Sequence, residues 1–388
     1  MTTDLQDIAA GGHLTIDLAA VVANWRLLSS RLLSGVAAAV VKADAYGLGA
    51  ARVAPSLEAA GCEDFFVAHL SEALELKRHL QNGSRLYVLN GLQPGAEVPC
   101  AEAGVIPVLN SLEQAQRWRK MATLFDRTLP AALQVDTGMN RLGLSPPEVD
   151  QLVADPDFFR DTPLALLMSH LACSDEPGAA ANAHQLRTFN AVAARLPKAR
   201  RSLANSGGVF LEEAFHGDLA RPGVALYGAA ANGARPNPMQ PVIRLDARVV
   251  QVRDIEAGQG VGYGLTFARS EAGRIATIAV GYADGWPRQL SNVGAAYYQG
   301  LRLPIAGRVS MDSITLDVSV LAAMGLNLRL GDEVELLGPN QTLEDVARDA
   351  GTIPYEILTS LGHRYSRTYL SGEDGPERSH EALETAAS

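Results

Sequence analysis

No stretch of this 388-residue chain approaches the roughly 20 consecutive apolar residues that a membrane-spanning helix requires. The first dozen residues carry Asp4 and Asp7, with neither a basic cluster nor an apolar core, so no export signal is expected there. Basic tracts are missing as well. Net charge is −10, and no Lys/Arg run is long enough to follow a phosphate backbone, which argues against nucleic acid as a partner. Cysteine is scarce: Cys62, Cys100 and Cys173 are odd in number, lack metal-ligand spacing and fit a reducing cytoplasm. With 47% hydrophobic and 20% charged residues, the composition is that of a globular enzyme. The polar, Glu-rich stretch 372–388 reads as a mobile tail.

What is present divides into two patterns. From about residue 36 to about 235, short apolar runs at 36–41, 65–68, 86–89, 106–109, 131–135, 164–168, 202–204 and 218–221 alternate with helix-like stretches such as 71–80, 111–121 and 183–196. Eight strand–helix alternations in about 200 residues predict an α/β fold, a (β/α)8 TIM-type barrel, rather than an open sheet. Ahead of it, Asp17 is placed to cap a helix running through Trp25. The proline cluster at 236–241 reads as a linker. Beyond it Ile243, Leu245, Ala247 and Val249 alternate with Arg244, Asp246 and Arg248, the period of a half-buried strand. Further strands are expected at 275–280, 301–305, 313–318 and 333–337, and helices near 343–350 and 355–361. The predicted division is a barrel at 13–238, a mostly-β C-terminal domain at 239–371 and the tail.

In a barrel of this class chemistry sits at the C-terminal ends of the strands. Lys42 closes the first apolar run, where desolvation favours its neutral, nucleophilic amine, able to form a Schiff base with a carbonyl. Asp136 and Arg141 follow the fifth run, His170 ends the sixth, Asn205 and Ser206 follow the seventh, and Arg221 ends the eighth. The last two loops, Asn205-Ser206-Gly207-Gly208 and Arg221-Pro222-Gly223-Val224, have the composition of a phosphate cradle. Together with the lysine they suggest a phosphorylated aldehyde cofactor.

The run Val41-Lys42-Ala43-Asp44-Ala45-Tyr46-Gly47-Leu48-Gly49 is similar to the cofactor-binding signature of the alanine racemases. Asp136-Thr137-Gly138-Met139-Asn140-Arg141, Ser169-His170, Asn205-Ser206, Arg221-Pro222-Gly223-Val224, Gly262-Tyr263-Gly264, Gly281-Tyr282-Ala283-Asp284-Gly285, Arg308-Val309-Ser310-Met311-Asp312 and Pro354-Tyr355-Glu356 match the same family in order. The resemblance covers about residues 13 to 370. It implies a pyridoxal 5′-phosphate (PLP) barrel with a β domain, a homodimer whose active site is shared between subunits, and interconversion of L- and D-alanine. Lys42 would carry PLP and act as base on one face of the substrate Cα, and Tyr263 of the other subunit would act on the opposite face. His170 and Arg221 would lend Tyr263 positive charge, since an unperturbed tyrosine titrates near 10. Tyr46, Ser206, Gly223, Val224 and Tyr355 match phosphate-binding positions, while Arg221 matches the residue facing the pyridine nitrogen. Arg141 and the Met311 N–H match the groups that hold the substrate carboxylate. Asp175, Tyr282, Arg288 and Arg308 match the substrate entrance.

Three positions depart from the pattern. Gln134 stands where many relatives have a carbamylated lysine, so a bound anion could replace its charge. Ser202 stands where some have histidine, and Ser310 where cysteine is frequent. None touches Lys42 or Tyr263. Among rival readings, an amino-acid decarboxylase needs an acidic partner for the pyridine nitrogen, which Arg221 opposes. A broad-specificity racemase of the same fold would need a roomier pocket. A non-catalytic PLP-binding protein would be a barrel without the β domain.

Overall fold

The computed structural model describes residues 8–81, 83–155, 157–232 and 236–371, and the expected tail at 372–388 lies outside them. Eight parallel strands form the first half of the chain. They are Val36–Ala37 with Ala39–Val40, then Asp64–Val67, Arg85–Val88, Ile106–Leu109, Ala131–Gln134, Leu164–Met168, Arg200–Ser202 and Leu219–Ala220. The last pairs in parallel with the first. Asp218 and Arg221 N–H groups donate to the Arg201 and Ala204 carbonyls at 2.8 Å, completing the ring. Several of these strands are buried at every position, because the core fills one side and helices cover the other. At the N-terminal end of the barrel, Asp64 is clamped by Arg85 and Arg200 from the third and seventh strands. Burial would raise this carboxyl, but the two guanidinium groups outweigh it and hold it below the usual carboxylate range.

The second domain is an eight-stranded sheet built on the long strand Ile243–Ile255. That strand pairs antiparallel with Glu333–Leu337, Gly273–Ile278 and Gly12–Asp17. The strand Gly12–Asp17 therefore lies by hydrogen bonding in the second sheet, although the sequence division at residue 13 places it with the barrel. Its alternation explains this: Leu14 and Ile16 are fully buried between Ile243–Ile255 and the parallel strand Ser366–Leu370. Asp17 then caps the helix Leu18–Ser30, its carboxylate accepting the Ala20 N–H at 2.9 Å. From this strand of the second sheet the chain crosses at once into the barrel. Ala295–Tyr298 and Ser366–Leu370 are strands that no alternating pattern announced. Among the described residues no helix is long and apolar enough to cross a membrane.

Because Leu14 has no exposure, Leu14→Ala should lower the free energy of unfolding by about 3 kcal/mol. Urea denaturation would show this as a reduced midpoint, and a change under about 1 kcal/mol would mean that the Gly12–Asp17 strand is not part of the core.

Candidate active site

After Val41 donates its N–H to the Phe66 carbonyl at 2.9 Å, the chain turns out of the barrel wall. Ala43, Asp44, Ala45 and Tyr46 all take left-handed backbone angles, with φ between 52° and 56°. For non-glycine residues this costs roughly 1–2 kcal/mol each. Hydrogen bonds on every side hold the turn. The Ala45 N–H returns to the Val41 carbonyl at 2.9 Å, and the Ala43 N–H donates to the Glu72 carboxylate at 2.7 Å. The Asp44 carboxylate accepts the Ala50 N–H at 2.7 Å. Arg367 and Tyr369, on the strand Ser366–Leu370, donate to the Gly47 and Leu48 carbonyls. Gly47 must lack a side chain: its φ is 84°, and a Cβ would collide with the Leu358 carbonyl of the helix Pro354–Ser360. Both domains therefore fix the residues around Lys42.

Lys42 opens onto a cavity of about 640 Å³ at the C-terminal ends of the strands. All ten residues expected to bind a cofactor line it: Lys42, Tyr46, Arg141, His170, Asn205, Ser206, Arg221, Gly223, Val224 and Tyr355. Tyr355 enters from the second domain, its ring 6.2 Å from that of Tyr46. Gln134 also lines the space. The loop carrying Arg141 is shaped by Asp136, one of whose oxygens accepts the N–H groups of Gly138, Met139 and Asn140 at 2.9–3.1 Å. The Ser206 hydroxyl accepts the N–H groups of Gly223 and Ala225, drawing the last two barrel loops together. A Cβ at Gly223 would overlap the Tyr46 hydroxyl, so glycine is what lets the backbone line this floor.

The electrostatics are cationic. Burial lowers Lys42, Arg141 lowers it further, and Glu72 opposes both. Burial, then Arg221, Arg141 and Lys42, bring His170 down to about 3, so its imidazole is neutral and, contrary to the expectation from sequence, has no positive charge to lend Tyr263. Burial lowers Arg221, but a guanidinium is so strongly basic that it keeps its charge. Its guanidinium donates to the Ser202 hydroxyl and to the Ser169 carbonyl, both neutral partners. Burial pushes the Tyr46 phenol far above its ordinary range, so it stays protonated.

The remaining expected residues gather elsewhere. Tyr263 is 72% exposed and Met311 53% exposed on the second domain, and neither lines the cavity of its own chain. Backbone hydrogen bonds join Tyr282 and Ala283 to Ser310 and Met311, and Arg308 lies beside Gly262 and Gly264, so Tyr263, Tyr282, Arg308 and Met311 share one surface. Arg288 sits on the following short turn, Arg288–Leu290. Asp175 lies on the loop after the sixth barrel strand, near enough to Tyr355 to raise its phenol, behind the larger effect of burial.

A family model described as the alanine racemase N-terminal domain matches residues 16–231, and one for the alanine racemase C-terminal domain matches 242–369. The chain belongs to the alanine racemase family. It is 56% identical over 380 residues to an alanine racemase of Brucella canis, spanning 95% of this chain and 96% of that one. It is 54% identical to a catabolic alanine racemase of Agrobacterium fabrum, over 93% and 92% of the two chains. In three dimensions it resembles the alanine racemase of Bartonella henselae with covalently bound pyridoxal phosphate, with a TM-score of 0.90 and 45% identity over 93% of this chain and all of that one. The biosynthetic alanine racemase of Pseudomonas aeruginosa is also similar, with a TM-score of 0.86 and 34% identity over 93% of this chain and 100% of that one.

Sequence reasoning missed residues that support this family site without carrying a motif. Glu72 is one. Gln185 is another: its buried amide donates to the His170 carbonyl at 2.8 Å and accepts the Ala172 N–H at 2.9 Å. Tyr227, a few residues beyond the Arg221-Pro222-Gly223-Val224 loop, is a third: its hydroxyl donates to the Val40 carbonyl at 2.9 Å.

The depressed His170 has a consequence for acid stability. Between about 6.5, the ordinary histidine value, and about 3, the unfolded chain binds a proton that the folded chain refuses, so stability falls as pH falls through that window. His170→Asn should flatten that part of the stability–pH curve measured by urea unfolding. An unchanged slope would mean that His170 titrates normally in the folded protein.

Proposed function

We infer that this chain is an alanine racemase that works with PLP bound at Lys42. One observation supports this most: an amine held by a strained turn shares a cavity with a permanent cation, Arg221, and with the Ser206–Gly223 cradle. The residues present fit the cofactor. Lys42 offers the amine, Tyr46, Ser206, Gly223, Val224 and Tyr355 would hold the phosphate, and Arg221 would hold the ring nitrogen. When bound, PLP supplies the electron withdrawal that makes an amino-acid Cα–H acidic.

The chain's own residues then set the outcome. Lys42 takes or returns a proton at the substrate Cα from one face, its amine favoured in the neutral form by burial and by Arg141. Arg221 cannot surrender its proton, so it leaves the cofactor a weak electron sink, suited to proton exchange at Cα and poorly suited to other reactions. Arg141 would orient the substrate carboxylate. Inversion also needs a base on the opposite face. Within one chain His170, which binds a proton only near pH 3, is too weak a base and Tyr46 keeps its proton, so neither suits that task.

Tyr263 suits it when supplied by a second copy. Its exposure, with that of Met311 and Tyr282 beside it, fits a surface that a partner covers. We therefore read the enzyme as a homodimer with two shared sites, each combining Lys42 of one subunit with Tyr263 and the Met311 N–H of the other. Asp175, Tyr282, Arg288 and Arg308 would border the approach. Racemisation runs in both directions, so the same chemistry serves supply of D-alanine for peptidoglycan or its removal.

The test is incubation of PLP-loaded protein with a panel of L-amino acids in D₂O, following chirality and α-deuterium. Inversion with deuteration, confined largely to alanine, is expected; strong turnover of lysine or arginine would contradict the substrate assignment and point to a broad-specificity racemase. Tyr263→Phe should slow exchange starting from one enantiomer by about 10²-fold or more and from the other much less. Equal, small effects on both would exclude Tyr263 as the second base.

A further inference from the structure

Glu72 stands at the third position of the helix Leu70–Leu76, behind the cavity wall. One carboxylate oxygen accepts the N–H of Ala43 at 2.7 Å. The other accepts the N–H groups of Ala68 at 2.7 Å and His69 at 3.0 Å, where the second barrel strand ends. A single side chain thus ties the first peptide after Lys42 to the rim of the neighbouring strand. Ala43 is also the first of the four left-handed residues, so the clamp acts where the costly turn begins.

We propose that Glu72 is the positioning residue for Lys42, fixing where the lysine leaves the barrel and balancing the positive charge around its amine. The proposal rests on the reading of Lys42 as the cofactor-bearing residue. The charged groups that act on Lys42 are Arg141 from the loop after the fifth strand and Glu72 from the helix after the second, while His170 at the end of the sixth is itself held neutral by burial, Arg221, Arg141 and Lys42. Of these only Glu72 is an anion, and it alone favours the ammonium form. Two separable effects follow. Loss of the clamp should misplace the amine, and loss of the charge should let it deprotonate at lower pH.

The experiment strips the full-length protein of PLP, adds PLP back, and measures the rate of covalent attachment to Lys42 across pH, with borohydride trapping and peptide mass to locate the adduct. The midpoint of the rate–pH curve reports the charge on the amine, and the plateau reports its placement. Glu72→Gln should lower the midpoint and the plateau about tenfold or more. Glu72→Asp, which keeps the charge but not the reach, should lower the plateau while leaving the midpoint close to wild type. Folded variants that match wild type in both quantities would overturn the proposal. If the variants do not fold, hydrogen exchange in the wild-type protein decides. An Ala43 amide protected well beyond open-loop amides supports the clamp, and exchange at the open-loop rate refutes it. Absence of attachment to Lys42 in the wild type would instead overturn the cofactor assignment.

Discussion

The placement of one amine in a desolvated, cationic cavity is the constraint on which this architecture turns. An ammonium is stable in water, and a nucleophilic amine at neutral pH needs burial or neighbouring positive charge. The barrel provides both by ending its first strand inside the rim and bringing Arg141 across from the fifth. The backbone around Lys42 must then reverse sharply, and it does so through four left-handed residues that the chain would not adopt unaided. The hydrogen bonds that enforce the turn come from the adjacent helix and from the second domain. The β domain therefore does more than carry Tyr355 and Tyr263: Arg367 and Tyr369 hold the turn from outside.

That coupling gives a physical reason for the unusual course of the chain. The strand Gly12–Asp17 and the strand Ser366–Leu370, near opposite ends of the sequence, lie side by side in the second sheet. The first leads directly into the barrel, and the second presents Arg367 and Tyr369 to the Lys42 turn. Their pairing ties the entry to the barrel to the sheet whose domain brings Tyr355 to the cavity. Arg221 makes the complementary contribution from the barrel side. Its hydrogen-bond partners are neutral, which leaves its positive charge uncompensated in the site.

Much of this was legible in the sequence because the chemistry recurs at strand ends. The apolar runs marked the eight barrel strands, and the ten residues expected to bind a cofactor, nine after those strands and Tyr355 from the second domain, converge on one cavity. What escaped detection had no pattern of its own. The strand Ala295–Tyr298 lies in a region of mixed polarity, and Gly12–Asp17 runs straight into the Asp17-capped helix, so its alternation reads as a preamble to that helix. Glu72 looks like an ordinary acidic residue in a first helical turn, where it would be expected for the helix dipole alone. Its link to Ala43 depends on a left-handed turn 29 residues earlier, which propensity cannot foresee because Ala and Tyr rarely adopt that conformation.

The separation of Tyr263 from Lys42 is the feature that gives the account its central claim: a single chain holds half of the machinery, and two copies complete it. The most direct measurement mixes Lys42→Ala subunits with Tyr263→Ala subunits, each inactive alone, and assays alanine racemisation after subunit exchange is demonstrated by mass. The account predicts that activity returns in the mixture, because the hybrid dimer contains one site with both bases intact. Continued inactivity despite proven exchange would contradict it and place both bases within one chain.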